Sequence, residues 1–269
     1  MKMRILLSLA VLAMALVPAA RAALIHHYTL DANADDSVGA TVYKHGYTYG
    51  AVYGPGILGG AAVFDGVDDH IDFRFERLVR TTEFTIAAWA NHYGPGGGYD
   101  NVNVIFSQRR NQTSGSAITL ATWSRATQAV PYSAAVVRDS DNNFESVHGP
   151  AMPFNEWHHY AMTVGPEFVI YYIDGIEVGR TGNSFTGDFY TELDTLYIGR
   201  EEVKGELRGS FYGAIDDVRI YDNALSPAEV MALVPEPATV LLFGIGGVLI
   251  RLRRNTGRHL FRGLTLMGK

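Results

Sequence analysis

The chain contains no cysteine, so its chemistry rests on carboxylates, histidines and aromatic rings. Zinc–thiolate centres and thiol nucleophiles are excluded. Carboxylates gather in three places: Asp31, Asn33 and Asp35 at alternate positions, Asp65, Asp68 and Asp69 in a turn, and the pair Asp216-Asp217 within an apolar strand. Clustered hard oxygens suit calcium. The helix-loop-helix calcium motif is not met, because Asp36 stands where its turn needs glycine and Val42 where it needs a bidentate glutamate. Around the third group, Val218 and Ile220 share one pleat face while Ile215 falls out of phase. A bulge at Asp216-Asp217 would repair that slip, and bulges re-aim side chains. Aspartates also cap turns through backbone hydrogen bonds, so spacing alone leaves both roles open.

The histidines form two doublets, His26-His27 and His158-His159. Neighbours on a strand point to opposite faces, so neither doublet can close on one metal ion. No Ser/His/Asp triad follows from spacing, and no nucleophile elbow or phosphate loop is present. Gly96-Gly97-Gly98 has no helix signal after it and reads as a flexible loop.

The elements that must position these groups are mostly strands. Alternating apolar residues mark strands at 24–30, 61–64, 70–73, 84–91, 102–107, 117–123, 132–137, 157–164, 168–173, 195–198 and 211–221. Tyr53-Gly54-Pro55-Gly56, residues 94–98 and residues 139–143 read as the breaks between them. Asp174-Gly175 specifies a type I′ hairpin between 168–173 and 176–178. The unbroken apolar run at 168–173 predicts that both of its faces are covered. One brief helix is expected from Ser226-Pro227-Ala228-Glu229, with hydroxyl N-cap, proline at N1 and glutamate at N3; Pro235 stops it. The predicted fold is all-β, an antiparallel jelly-roll sandwich of two sheets with one short capped helix and a separate hydrophobic tail helix.

The stretches YTLDANADDSVG (28–39), AAVFDGVDDHIDF (61–73), FTIAAWANH (84–92), EWHHYAMTV (156–164), VIYYIDGIEVG (169–179), LYIGR (196–200) and GAIDDVRIYDNALSPAEV (213–230) together resemble the LamG-like jelly roll of the concanavalin A-like lectin/glucanase superfamily. They run in the family's order over nearly all of residues 24–232. The resemblance implies a non-enzymatic binding role and a structural calcium held by an aspartate near the C-terminal strand. That role falls by resemblance on Asp217 or Asp216, with Asp31 and Asp65 as further candidates. His159 matches a histidine of the family's W-x-H strand. Laminarinase-like members carry E-x-D-x-x-E, whose outer glutamates act as nucleophile and acid/base. Here residues 192–197 begin with Glu192 and Asp194 and then place Tyr197 where the proton donor must stand. Retaining hydrolysis needs two carboxyls, so the motif lacks its acid. The fold's usual sugar platform is the concave sheet or its edge loops, where Tyr93, Tyr99, Trp123 and Tyr132 are candidates for stacking.

The two ends carry addresses. Lys2 and Arg4, the apolar run 5–17 and Ala20-Arg21-Ala22 form the pattern of a signal peptide over 1–22, cut by signal peptidase. Nine of the 22 basic residues lie in the terminal segments, with only one of the 28 acidic residues, Glu236. The body at 23–233 thus holds 13 basic and 27 acidic residues, a net charge of −14. Such a charge repels phosphate backbones, which argues against nucleic acid, and tolerates cations. Residues 234–254 combine Pro235-Glu236-Pro237, a 13-residue apolar run and Arg251, Arg253 and Arg254. As a helix that run is roughly 20 Å long against a hydrocarbon core of about 30 Å. The arginines place its end in the cytoplasm. This arrangement resembles the PEP-CTERM sorting signal of Gram-negative bacteria. The resemblance implies transient membrane insertion, recognition of Pro-Glu-Pro by an exosortase, and delivery to the surface or extracellular matrix. A basic extension follows at 255–269, where the family's chains normally stop. The combined expectation is an exported binding module for carbohydrate or for envelope and matrix components. A glycan-active hydrolase or lyase and a structural matrix protein are the alternatives.

Overall fold

In the computed structural model, residues 22–39, 44–73, 79, 81–96, 101–110, 117–123, 132–189, 194–203 and 205–235 are described. The signal segment, the tail beyond Pro235, Tyr99, Glu192 and the side chains of Trp123 and Asp194 lie outside the described residues. Among those described, no helix is long and apolar enough to cross a membrane.

Two antiparallel sheets face each other. The first contains, in spatial order, β13 (Ile176–Gly182), β12 (Phe168–Ile173), β11 (Trp157–Val164), β6 (Phe84–His92), β17 (Tyr212–Tyr221), β4 (Gly60–Asp65) and β3 (Val52–Pro55). In it β1 (Leu24–Tyr28) also pairs with the second half of β17. The second sheet runs β10 (Phe144–Pro150), β9 (Tyr132–Arg138), β8 (Ala117–Trp123), β7 (Val102–Arg110), β14 (Asp194–Ile198), β5 (His70–Asp72) and β2 (Tyr47–Tyr49). A small hairpin, β15 (Glu201–Val203) and β16 (Glu206–Arg208), follows β14. Alternation along each strand sends Ile86, Ala88, Tyr160, Met162, Tyr171, Phe106, Leu120 and Ile198 into one core between the sheets.

Part of the first sheet's outward face is covered as well. Ala87, Ala161, Ile170 and Tyr172 point away from the main core into a second cluster with Leu225 and Val230. This cluster lies under α1 (Pro227–Met231), so both faces of β12 are buried, as its unbroken apolar run predicts. The helix starts through a complete capping box: Glu229 N–H donates to the Ser226 hydroxyl, and the Glu229 carboxylate accepts from Ser226 N–H. Asp174 and Gly175 take φ of 51° and 76°, the left-handed pair that a type I′ turn requires.

Several expectations need correction. Tyr53-Gly54-Pro55 is not a break but most of β3, an edge strand where proline removes no ladder bond. Strands β2, β10, β15 and β16 and the extension of β13 to Gly182 were not expected, because they mix exposed polar residues with glycine and proline. They lie at sheet edges or in a separate hairpin, where burial imposes little alternation.

Candidate functional sites

The bulge in β17 is present. Register against β6 shifts between Asp216 and Arg219, and Asp217 takes φ 53°. As a result Ile215 and Val218 both reach the main core despite their odd spacing. The bulge falls where β17 changes partner, from β4 to β1. The two adjacent aspartates therefore meet different surroundings.

Asp217 faces His27 and Arg219. Its Oδ1 sits 2.6 Å from His27 Nε2 and accepts from Arg219 Nη2 at 3.1 Å, and Arg219 Nη2 also lies 3.0 Å from Oδ2. Burial works to raise its pKa, but the bonds and charges of His27 and Arg219 prevail and hold it below the usual value. Asp216 is fully buried, and no cation pairs with it among the described residues. Its Oδ2 accepts from the N–H groups of Ile57 (2.9 Å) and Leu58 (3.0 Å), while Oδ1 has no hydrogen-bond partner. Burial pushes this carboxyl up to about 6, and the charges of Asp217 and Asp31 add to that shift. Asp31 holds the other end of the same turn, its Oδ1 accepting from Gly60 N–H at 2.6 Å. Gly56 and Gly59 let this turn press against the two carboxylates: a Cβ at Gly56 would strike Asp216 Oδ2, and one at Gly59 would strike Asp31 Oδ1. Calcium fits these residues: a buried, unpartnered carboxylate oxygen beside a second carboxylate is a hard, negative site. A bound ion would neutralise that charge.

The other clusters differ. Asn33 and Asp35 bond each other, with Asn33 Nδ2 donating to Asp35 Oδ2 and Asp35 N–H to Asn33 Oδ1, whereas Asp31 accepts from Gly60 N–H. Asp65, Asp68 and Asp69 do converge, offering oxygens within 4.8 Å of one another. Two of these carboxylates also brace the turn: Asp69 Oδ2 accepts from Asp65 N–H and Asp65 Oδ1 from Val67 N–H. The histidine doublets split as strand geometry demands. His26 Nδ1 meets Asp36 at 2.7 Å while His27 goes to Asp217; His158 Nδ1 meets Asp174 at 2.8 Å while His159 packs on Trp89. Burial holds His159 down to about 4 and His92 down to about 3.

Of the aromatic candidates, Tyr93 packs edge-to-face on Tyr212, and Tyr132 stacks on His148 at 4.7 Å. Tyr197, standing where the glucanase acid would be, lies on the outward face of the second sheet and donates its hydroxyl to Glu202 at 2.8 Å. Two exposed rings that sequence reading missed, Tyr47 and Tyr49, lie on the same face. Their signal was the Tyr-Thr-Tyr alternation, too short to mark a strand.

A laminin G profile described as the concanavalin A-like lectin/glucanases superfamily matches residues 65–231. The chain belongs to this superfamily. A PEP-CTERM protein-sorting motif matches residues 233–255, which marks the protein as exported, anchored and processed at the membrane, with exosortase as the implied enzyme. Among solved structures, the chain is similar to domain 4 of AbnA, a GH43 extracellular arabinanase from Geobacillus stearothermophilus, in complex with arabinotriose. That match has a TM-score of 0.61 and 22% identity, covering 80% of this chain and 99% of that one. The IT-sialidase CBM40 of Ruminococcus gnavus matches with a TM-score of 0.50 and 12% identity, over 71% of this chain and 96% of that one. The binding domain of Paraclostridial Mosquitocidal Protein 1 matches at 0.57 and 12%, over 78% and 51%. No curated protein matches the chain. The superfamily profile begins at residue 65, yet β1, β3 and β4 pair into the same sheet, so the fold extends upstream of the match.

Proposed function

We propose that this superfamily member is a non-catalytic carbohydrate-binding module, carried by its sorting signal to the surface or matrix of a Gram-negative bacterium. The observation that carries the reading is the contrast between the two outward faces. The outward face of the first sheet lies under α1 around Ala161, Ile170 and Tyr172, whereas that of the second presents Tyr47 and Tyr49 to solvent on one strand. Exposed rings cost solvation unless something flat and partly apolar covers them, and a sugar ring is such a partner. The arabinotriose seen on the AbnA domain supports the same reading. Within it, calcium at Asp216 and Asp31 serves structure, holding the 56–60 turn against the bulge; Asp217 already pairs with Arg219, and Asp65 belongs to the second acidic cluster. A glycan array probed with the full-length chain, with calcium and then with chelator, tests the proposal. Specific retention of a glycan class is expected. Release of cleaved products would show an enzyme instead, and silence on every glycan would leave a structural matrix protein.

A further inference from the structure

The second sheet's outward face is crossed by one row of residues. Register places Tyr47 beside Asp72, Asp72 beside Tyr197, Tyr197 beside Ser107, and the row continues through Thr119 and Val136 to Ser146. A second row begins with Tyr49 beside His70, their rings stacked at 4.7 Å with planes 3° apart. Ser107 donates to the Arg200 carbonyl at 2.9 Å, and Glu201 pairs with Arg109, so β15 passes over β7 and walls off this end of the face. Arg200 lies over the Tyr197 ring.

Strand β2 is unusual for what it does not do. All three of its residues are exposed, Tyr47 at 47% and Tyr49 at 42%, so it buries almost nothing in the core. Edge strands normally carry charge or proline to prevent pairing with other chains, and two solvent-exposed tyrosines, Tyr49 stacked on His70, are the opposite choice. Tyr47 and Tyr49 stand about 7 Å apart along one strand face, so two rings are presented side by side. Asp72, His70, Glu202 and Arg200 supply donors and acceptors around them.

Resting on the carbohydrate-binding reading, we propose that Tyr47 and Tyr49 form the stacking platform for an uncharged linear glycan lying along the β2–β5–β14 edge. Charge selects the class. Asp72 and Glu202 flank the platform, the Asp65–Asp68–Asp69 cluster adjoins it through the Asp68 carbonyl, which meets His70 Nδ1 at 2.8 Å, and Arg200 supplies the nearby cation. A polyuronate would meet these carboxylates at close range, whereas a neutral chain meets only hydroxyl-binding groups and ring faces.

The test is affinity electrophoresis of the full-length chain in native gels containing linear arabinan, laminarin or polygalacturonate. At least one neutral gel retards the wild type and polygalacturonate does not. The double variant Tyr47→Ala/Tyr49→Ala loses about tenfold or more in affinity, as expected for two stacking rings. Tyr47→Phe/Tyr49→Phe retains most of the binding, and Tyr212→Ala binds like wild type, which separates lost stacking from lost fold. Retardation by polygalacturonate overturns the choice of a neutral glycan. Neutral binding that survives the double alanine variant overturns the platform while leaving the carbohydrate-binding reading intact. A wild type that no gel retards removes both.

Discussion

Aspartates gather in the β17 bulge and in the 65–69 turn, and the two groups solve opposite problems. In the turn, Asp65 and Asp68 stand in water, and bonds to backbone N–H groups of the same turn occupy Asp65 and Asp69. In the bulge, both carboxylates are buried; apart from Arg219, two residues from Asp217, their partners come from distant segments. A surface carboxylate is solvated whatever its neighbours do; a buried one needs a cation, a set of donors or a proton. Asp217 takes the first solution, and Asp216 is left between the second and third.

The largest separation should come from truncating one member of each group. Asp217→Ala takes from Arg219 and His27, both partly exposed, the buried carboxylate they share, which costs about 2–3 kcal/mol. Asp68→Ala, on the exposed turn, should fall within about 0.5 kcal/mol of wild type. Urea denaturation measures both. Equal costs would mean that the bulge pairing does not hold β1 to β17.

Next in size is the response to calcium. Added calcium should raise Tm and chelator should lower it, with Asp216→Asn removing most of the difference. The asparagine keeps an oxygen for Ile57 and Leu58 N–H but not the charge, so in chelator it should be at least as stable as wild type. A calcium response that survives Asp216→Asn would move the ion away from the bulge.

A smaller effect should appear with pH. His92 and His159 have folded pKa values of about 3 and about 4, below the ordinary 6.5. The unfolded chain therefore binds their protons first, and stability is lost as pH falls from 6.5 toward 4. Asp216 works the other way. Its folded pKa of about 6 exceeds the ordinary 3.8, so the folded chain holds the extra proton, and this contribution is lost as pH rises through 4 to 6. The two slopes oppose each other in chelator. Asp216→Asn should therefore make Tm rise more steeply between pH 4 and 6.5, as should saturating calcium, which keeps Asp216 ionised. An unchanged slope in the variant would mean that Asp216 ionises normally.

Much of this contrast could be read from the sequence, but only where the cause was local. The out-of-phase Ile215 announced the bulge, Asp174-Gly175 the hairpin, and Ser226 with Glu229 the helix start, each within a few residues. Apart from Arg219 beside Asp217, the partners were not local. His27 lies 190 residues from Asp217, and Ile57 lies 159 from Asp216, so no spacing rule links them. For the same reason the calcium candidates that the resemblance implies, Asp217, Asp216, Asp31 and Asp65, could not be ranked by the distant partners each one meets. Strand β2 escaped notice because an exposed three-residue edge strand has no core-facing pattern to detect.

The finest test of the contrast is the turn itself. If Asp65, Asp68 and Asp69 only brace their loop, Asp65→Asn should shift Tm slightly, since the amide oxygen can still accept from Val67 N–H. The calcium-induced change in Tm should then match that of wild type. A calcium response that disappears in Asp65→Asn and persists in Asp216→Asn would reverse the assignment. The ion would then sit on the surface beside the Tyr47–Tyr49 platform, where it would stand close enough to a stacked sugar to ligate its hydroxyls. Buried charge would in that case be a matter of folding alone, and exposed charge a matter of binding.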